Sequence, residues 1–386
     1  MQGGGHSPAT HDFGLGADQV LEAQVVLASG EIVTASACQN QDLLFAIRGG
    51  GPSTYGIVVE TVIKAHPTNS VAAQVFGFSP LTANDLPAFM DAVAIIYEAF
   101  PSLSDNGFSG YGSWSLYSPS PLVSNYSTGF IQTIANFGRS VAEAEALFAP
   151  VKAQLSQYNG TSLYMESDYF SFPTYNDYYN TLSDVASPVG QTAALGSRFL
   201  DRQALTGNPT ALKTMLKTIV GMPEEATSVN IVFVGGGQVF DDASDPYSGV
   251  NPAWRQTYVH NIVARGWAPG SSNATIQAVY EDITYNKTQA MKELAPDTGC
   301  YMNEADRFDP DYPQDFYGKH FGRLSQIKWQ YDPQSVFYCP TCVGSEMWTV
   351  QSNGQLCWGG KAGAPDGGPG DVQPPVNYPG GPHGGG

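Results

Sequence analysis

Positively charged residues are scarce in this 386-residue sequence. Lys and Arg number 17 against 35 Asp and Glu, so the formal net charge at pH 7 is −18. A surface of this sign repels phosphate backbones and anionic lipids, which disfavours nucleic acid and membranes as partners. No uninterrupted apolar run reaches the roughly 18 residues of a transmembrane helix. The composition favours a neutral small molecule as the partner, although the same charge also suits simple solubility.

Several catalytic and nucleotide-binding signatures are absent from the sequence. It contains no G-x-S-x-G or H-E-x-x-H motif and no Walker A loop. The GGGHS stretch at 3–7 neither follows a strand nor opens a helix as G-x-G-x-x-G, so it does not support a Rossmann site. The chain has six His residues, without the spacing typical of metal ligands. We therefore predict no metal site.

Cysteine is sparse too. The C-P-T-C at 339–342 has no second pair or His ligands at zinc spacing, and it follows the strand-like SVFYC rather than opening a helix. Structural disulfides are therefore favoured over a metal or redox motif, with one cysteine left over. Bridges from the 339/342 pair to Cys300 or Cys357 suit the spacing, and the connectivity stays open. The five cysteines are Cys38, Cys300, Cys339, Cys342 and Cys357.

Four N-x-[ST] sequons indicate an extracellular destination. No secretory leader precedes them, and the odd cysteine together with the absent leader fits a chain that has lost its beginning. We predict a secreted, glycosylated, disulfide-containing and monomeric parent protein, without a signal peptide in this chain. The sequons lie at Asn125, Asn159, Asn273 and Asn286.

The local patterns predict an α+β protein. Residues 18–36 read as a hairpin, 39–50 as a short helix that ends on Gly, and 49–67 as a glycine turn followed by a long strand. From about 68 to 297, aromatic-rich strands alternate with amphipathic helices, which predicts an antiparallel sheet covered on one face by helices.

Three stretches carry motifs that occur together in one enzyme family. They are FGLGADQVL followed by VVLASGEIVTAS, then RGGGPSTYGIVVETVIKAHP, and finally CYMNEAD followed by FYGKHFGRLSQIKWQYDP. GSRFLDR and NPAWR lie between them in the expected order. From residue 2 to about 358, the chain resembles the berberine-bridge-enzyme-like FAD-linked oxidases of the vanillyl-alcohol oxidase (PCMH-type) superfamily, in their fungal form.

The resemblance implies an architecture and FAD as the cofactor. Residues 1–67 would be the C-terminal part of a PCMH-type FAD-binding domain, and 68–299 a substrate domain of antiparallel sheet covered by helices. Residues 300–358 would be the berberine-bridge-like segment that returns to the flavin domain. The Gly/Pro-rich tail at 359–386 is expected to be disordered.

The resemblance also implies that the N-terminal half of the FAD-binding domain is missing. That half carries the family's phosphate-binding loop and its flavin-linking His. GGGHS looks like the R-x-G-G-H-S of the linking loop, but the FGLGADQVL that follows assigns it to a later glycine turn. His6 is therefore not expected to be the flavin-linking residue.

The family pattern implies a set of cofactor-binding residues. The set is Gly3, Gly4, Gly5, Tyr55, Gly56, Ile57 and Asn303. All of them except Asn303 have an equally simple structural interpretation, as parts of a turn or a buried strand.

The catalytic base is expected within YMNE at 301–304, as Tyr301 or Glu304. Many relatives carry a Tyr after the Asn, where this chain has Glu304. A Tyr with a pKa near about 10 needs activation, whereas a carboxylate is ionised near neutral pH. If the segment is a strand, Tyr301 and Asn303 share a face and Glu304 points away. A structural alternative pairs Glu304 with a cation such as Arg323.

Two functions from different classes follow. The first is an FAD-dependent oxidoreductase that transfers a hydride from an alcohol, sugar or secondary-metabolite substrate to flavin N5, with reoxidation by dioxygen. The alternative is a truncated, flavin-free remnant or a ligand-binding protein. The substrate itself does not follow from the fold.

Overall fold

The computed structural model describes residues 1–51, 54–117, 128–182, 192–351 and 353–358. The tail predicted to be disordered and the sequon at Asn125 lie outside the described residues. The other three sequons, at Asn159, Asn273 and Asn286, carry exposed asparagines, while secretion and glycosylation stay predictions.

A three-stranded antiparallel sheet forms first along the chain, in the order β2-β1-β3. Its strands are β1 (Val20–Val26), β2 (Ile32–Ser36) and β3 (Ile57–Ile63). The predicted hairpin is confirmed, and Gly30 turns it with a φ of +86°, a conformation that suits glycine. The predicted helix follows as α2 (Gln41–Ile47), which packs next to β2.

The larger sheet has seven strands in the order β7-β4-β6-β5-β9-β10-β8, and every pairing is antiparallel. This confirms the expected antiparallel sheet. Its strands are β4 (Val71–Pro80), β5 (Phe108–Ser115), β6 (Gly129–Phe137), β7 (Leu163–Phe172), β8 (Ala193–Asp201), β9 (Thr227–Phe233) and β10 (Thr257–Gly266).

The helices begin where the sequence offers caps. Ser140 and Glu143 form a capping box at the start of α4, and Asn208 caps α7 ahead of Pro209. The helices of the described residues are α1 (Thr10–Phe13), α2 (Gln41–Ile47), α3 (Leu86–Asp105), α4 (Val141–Leu155), α5 (Tyr175–Leu182), α6 (Arg202–Thr206), α7 (Pro209–Val220), α8 (Gln238–Asp241), α9 (Asn273–Asp282), α10 (Thr288–Leu294), α11 (Tyr312–Tyr317) and α12 (Phe321–Tyr331).

Helix α3 is the most apolar helix of the fold. By length and composition alone, the segment Ala83–Asp105 could cross a membrane. In the structure, however, Phe89, Val93 and Phe100 are fully buried against the seven-stranded sheet. Packing against the sheet accounts for the apolar character of this helix.

The two faces of the seven-stranded sheet have different neighbours, because side chains alternate along each strand. On one face, Trp114 and Phe233 pack with α3, α4 and α7 in the largest apolar cluster. On the other face, Phe199 and Val232 join the N-terminal turn and Tyr301. Side chains from both ends of the chain therefore meet on this second face.

The C-terminal segment packs against the first sheet. Arg323 lies over the Phe45 ring of α2 at 3.6 Å, and Lys328 Nζ donates to the Thr54 carbonyl at 2.8 Å. A short hairpin follows, formed by β11 (Trp348–Val350) and β12 (Leu356–Trp358). The domain boundaries at 67/68 and 299/300 stay predictions. The segment's buried apolar residues, in one cluster with β1, β2 and α2, are Cys300, Phe316, Tyr317, Leu324, Ile327 and Val343.

Cys339 and Cys342 form a disulfide with each other. Their Cα atoms are 5.4 Å apart, a separation that a disulfide accommodates. Cys38, Cys300 and Cys357 are free. The interpretation that linked the 339/342 pair to Cys300 or Cys357 is therefore wrong, since the two neighbouring cysteines bridge each other.

Candidate active site

One row of side chains crosses the second face of the large sheet. Strand register pairs Tyr111 of β5 with Val232 of β9, Val232 with His260 of β10, and His260 with Phe199 of β8. Neighbouring strands lie roughly 4.8 Å apart, so the backbones of Tyr111 and His260 are separated by about 10 Å. The sheet thereby holds the Tyr111 hydroxyl on one side of Val232 and the His260 imidazole on the other.

The YMNE segment lies over this row as a turn. Met302–Glu304 is a 3₁₀ turn, so the arrangement considered for a strand does not apply. The Tyr301 hydroxyl accepts hydrogen bonds from the Gly5 N–H at 3.0 Å and from Asn303 Nδ2 at 2.7 Å. The turn also aims Tyr301 and Glu304 at the same neighbours, where a strand would have separated them.

Two imidazoles flank the Glu304 carboxylate. His6 Nε2 lies 3.3 Å from both carboxylate oxygens. His260 Nε2 lies 3.2 Å from Oε2, without the alignment of a hydrogen bond. His6 also places Nδ1 2.9 Å from the Tyr111 hydroxyl. The His6–Glu304 pair thus fills the gap between Tyr111 and His260.

Aromatic rings pack together beside the carboxylate. Trp254 packs at 4.4 Å from Phe199 and 5.6 Å from Tyr301, measured between ring centroids. The Tyr301 ring also meets the edges of His6 and His260, at 5.5 Å and 5.9 Å. The Glu304 side chain is 32% exposed, so the carboxylate lies at the boundary between this apolar cluster and solvent.

The surroundings of Glu304 and of the two tyrosines shift their pKa values in opposite directions. Burial acts to raise the pKa of Glu304, but the contacts with His260 and His6 outweigh it and hold that pKa well below its usual range. Burial raises the pKa of Tyr301 and of Tyr111, so both phenols keep their protons near neutral pH. Burial lowers the pKa of His260, which favours a neutral imidazole. Glu304 is thus the ionised acid of this cluster.

The opening glycines lie directly under the YMNE turn. A Cβ atom at Gly3 would come within 2.7 Å of the Asn303 carboxamide, and one at Gly4 within 2.8 Å of the Tyr301 ring. Gly4 also has a φ of +147°, which other residues rarely adopt. Packing against the turn therefore explains the glycines at 3 and 4, and their contact with a flavin stays a prediction.

We expect Gly4→Ala to lower the free energy of unfolding by about 1–3 kcal/mol, because it forces a side chain into a Gly-only backbone region and against Tyr301. Gly322→Ala is the matched control. It lies in α12, where an added Cβ meets no atom within 4 Å, and should raise stability by up to about 1 kcal/mol. Urea unfolding of both variants measures the difference, and equal changes would contradict this account of Gly4.

The remaining predicted cofactor residues have mixed surroundings. The Gly5 N–H donates to Tyr301 beside the site. Tyr55 is buried, and its hydroxyl donates to the Gly50 carbonyl at 3.0 Å. A Cβ at Gly56 would come within 2.5 Å of Val25. Ile57 opens β3 and is exposed. Only Gly5 of these adjoins the Glu304 cluster, and a flavin contact for the others stays a prediction.

The structure adds three residues to the predicted site: His6, Tyr111 and His260. His6 had been considered only as a flavin-linking residue, and Tyr111 and His260 had not been singled out from the sequence. A signal existed in β10, where YVHNIVA places a single His within an apolar run. Nothing local indicates its partner, because Glu304 is 44 positions further along the chain.

The arginines of the NPAWR and GSRFLDR stretches form structural ion pairs. Arg255 binds Asp18 through two hydrogen bonds at 2.8 and 2.9 Å, and Arg198 binds Asp315 at 2.6 Å. The expected alternative partner of Glu304, Arg323, instead stacks on Phe45. These arginines hold segments together and do not line the Glu304 cluster.

Among the described residues, one cluster of three carboxylates has metal-ligand spacing. It comprises Asp309, Asp311 and Asp315. Lys292 Nζ lies among them, at 2.7, 3.1 and 2.6 Å respectively. The ammonium group already compensates these charges, so the cluster serves to tie α10 to the C-terminal segment.

Comparisons with known proteins agree with this architecture. The family described as "Berberine and berberine like" matches residues 300–344. The FAD-linked oxidoreductase hmp9 of Hypomyces subiculosus is 41% identical over 361 residues, covering 92% of this chain and 56% of the relative. The FAD-linked oxidoreductase apf9 of Gibberella fujikuroi is 40% identical over 367 residues, covering 92% of this chain and 61% of the relative.

Solved structures give the same result. The VAO-type flavoprotein MtVAO713 from Myceliophthora thermophila C1 superposes with a TM-score of 0.88 at 41% identity, covering 92% of this chain and 62% of that one. The glucooligosaccharide oxidase from Acremonium strictum, at 17% identity, shares the fold alone, with a TM-score of 0.67 over 89% of this chain and 70% of that one. This chain spans little more than half the length of hmp9. With the matching α+β architecture, these relationships show that 92% of the chain is similar to FAD-linked oxidoreductases and a VAO-type flavoprotein, and that residues 300–344 match the berberine-like family.

Proposed function

We propose that this chain is the catalytic part of an FAD-dependent oxidoreductase that oxidises an alcohol, a sugar or a related small-molecule secondary metabolite, with dioxygen as the final electron acceptor. Glu304 is the general base. The observation that carries this proposal is the ionised, partly exposed Glu304 carboxylate, held between His6 and His260. The family relationship supports the cofactor and the reaction class.

Protonation favours Glu304 over Tyr301 as the base. The carboxylate is ionised near neutral pH, whereas burial keeps the Tyr301 phenol protonated. The Tyr301 oxygen also accepts two hydrogen bonds, from Gly5 and Asn303. A group that already holds its proton cannot accept one from a substrate hydroxyl. Tyr301 instead positions the turn that carries Glu304.

The groups beside Glu304 fit the ring end of FAD. The Asn303 carboxamide and the Tyr301 hydroxyl are polar groups of the kind that the edge of an isoalloxazine needs, whereas the N–H and carbonyl groups of Gly4 and Gly5 already pair within the chain. Asn303 and Tyr301 would hold the ring there. When bound, FAD supplies the two-electron acceptor for the oxidation.

The chain's own residues then perform the acid–base work. Phe199, Trp254 and Tyr301 are buried and pack on one another, so they form a rigid apolar support beside the carboxylate. Glu304 accepts the proton of the substrate hydroxyl as the adjoining carbon is oxidised. His260 keeps the carboxylate in place from the buried side.

An absorbance spectrum of the purified chain incubated with FAD tests this function. A band near about 450 nm that persists after desalting is expected, together with its anaerobic bleaching by at least one of glucose, cellobiose, benzyl alcohol and vanillyl alcohol. Protein that stays colourless yet binds one of these compounds would overturn the oxidoreductase and favour the ligand-binding alternative. A stable band that no member of the panel bleaches would overturn the oxidation of these alcohols and sugars and leave the cofactor in place.

A further inference from the structure

We propose that Asp306 and Thr284 are positioning residues for Glu304. Their hydrogen bond, the Asp306–Thr284 tether, fixes the end of the YMNE turn to the π-helical turn Ile283–Lys287. The tether thereby holds the Glu304 carboxylate between its two imidazoles. The proposal rests on Glu304 as the base of the proposed function, and it adds two residues that lie outside the Glu304 cluster.

Asp306 is anchored through both of its carboxylate oxygens. The Thr284 hydroxyl donates to Oδ2 at 2.6 Å, and both side chains are buried. The Phe308 N–H donates to Oδ1 at 2.9 Å. A buried carboxylate is costly unless its oxygens accept hydrogen bonds, so these two donors define where Asp306 can lie.

The YMNE turn is anchored before and after Glu304. Before it, the Phe199 N–H donates to the Gly299 carbonyl at 2.7 Å, which ties the chain to β8. After it, the next side chain with a hydrogen bond is Asp306, two residues further on. Two residues span at most about 7 Å, so a displacement of Asp306 is transmitted to Glu304.

The Thr284 side of the tether belongs to a well-packed layer. Ile283 is fully buried in the apolar cluster that α3, α4 and α7 share with the large sheet, and Lys287 pairs with Glu225 and Asp282. The π-helical turn also packs against β8, the last strand in the order of that sheet. The tether therefore joins the helix layer to the YMNE turn on the opposite face of the sheet, past its edge.

Loss of the Thr284 hydroxyl would leave Asp306 Oδ2 without its donor inside the protein. The segment then gains free energy by moving this carboxylate towards water. Glu304 would move with it, and its distances of 3.3 Å to His6 and 3.2 Å to His260 would lengthen. Burial acts to raise the pKa of Glu304 and these contacts hold it below its usual range, so their loss should raise that pKa.

Thr284→Val tests the tether, because it keeps the branched shape of the side chain and removes the hydroxyl. In the FAD-loaded protein, with the panel compound that bleaches it fastest, Thr284→Val should slow anaerobic bleaching by about 10–100-fold at pH 7. Its rate should fall at least about 3-fold further between pH 7 and pH 4, as expected for a base whose pKa approaches about 4.3. The wild type should show no such fall. The phenols of Tyr111 and Tyr301, the other titratable groups beside Glu304, keep their protons in this range.

Three further variants separate the tether from a general effect on folding. Thr284→Ser keeps the hydroxyl and should retain most of the wild-type rate. Asp306→Asn removes the buried charge and one acceptor oxygen, and should shift the pH profile in the same direction as Thr284→Val. Thr288→Val is the matched control, because Thr288 is buried and its hydroxyl has no partner among the described residues. Equal losses in Thr288→Val and Thr284→Val, or a loss that Ser does not restore, would overturn the tether.

A second readout needs neither FAD nor substrate. The ¹³C NMR signal of the Glu304 carboxyl group, assigned by its absence in Glu304→Gln, reports the titration of this group. It should titrate at a higher pH in Thr284→Val than in the wild type. An unchanged titration would mean that the tether does not hold Glu304, whatever Glu304 does in catalysis. Failure of the proposed function is recognised differently, as wild-type bleaching rates in Glu304→Gln.

Discussion

Replacement of Glu304 by Gln is expected to slow substrate-dependent flavin bleaching by about 10²–10⁴-fold in the FAD-loaded protein. The amide keeps the size of the side chain and its contacts with His6 and His260, but it cannot accept a proton. Anaerobic stopped-flow measurement at about 450 nm gives the rate directly. Because the loss lies in proton transfer, substrate binding should change far less than the rate.

The pH dependence follows from the same carboxylate. A general base acts in its deprotonated form, so its activity disappears as the pH falls through its pKa. Since the pKa of Glu304 lies well below its ordinary value of about 4.3, its protonation should not reduce the bleaching rate between about pH 8 and pH 5.

Two variants serve as controls for the slower bleaching expected in Glu304→Gln. Tyr301→Phe removes the phenol while Glu304 remains, and should slow bleaching much less than Glu304→Gln. Glu31→Gln makes the same chemical change in the exposed turn between β1 and β2 and should have no effect. A larger loss in Tyr301→Phe than in Glu304→Gln would reverse the assignment of the base.

Replacement of Lys287 by Met is expected to lower the free energy of unfolding by about 3–5 kcal/mol, because it removes one of the two cations that compensate two largely buried carboxylates. Lys287 is 1% exposed and lies in the π-helical turn Ile283–Lys287 that joins α9 to α10. Its Nζ atom is 3.0 Å from Glu225 and 3.3 Å from Asp282. Among the described residues, Arg265 would then be the one cation left to pair with the two acids.

Lys213→Met is the matched control for Lys287→Met. Lys213 pairs with Asp91 at 2.8 Å, but both side chains are about half exposed, so the loss should stay within about 1 kcal/mol. The urea concentrations at the unfolding midpoints are compared for the two variants. If the dependence of the unfolding free energy on urea concentration is the same in both, the difference in midpoint is a difference in stability. Losses of equal size in the two variants would mean that burial of the Lys287 network contributes nothing.

Local pattern was sufficient for most of the fold. The alternation of apolar and polar residues in 20–36 identified the first hairpin, and the helical periodicity of 86–100 identified α3. Both elements are stabilised by contacts between residues close in sequence, so their pattern is visible in a short window. β7 is harder to find in this way, because polar side chains alternate along it beside an exposed edge of the sheet.

The segment 301–304 shows where local reasoning fails. It has no periodicity long enough to distinguish a strand from a turn. Its conformation is set by contacts with Gly5 and His6, almost 300 positions earlier in the chain. The separation of Glu304 from Tyr301 that a strand would give therefore does not occur.

The sequence by itself determined the α+β class, the strand and helix patterns, the family motifs and the presence of a carboxylate in the YMNE motif. Only the tertiary structure decided what surrounds that carboxylate. Tyr111 and His260 share a face because the register of β5, β9 and β10 aligns them, and a slip of one residue would turn each to the helix-covered side. His6 then reaches both Tyr111 and Glu304 because the two ends of the chain meet over that face, which no local pattern records.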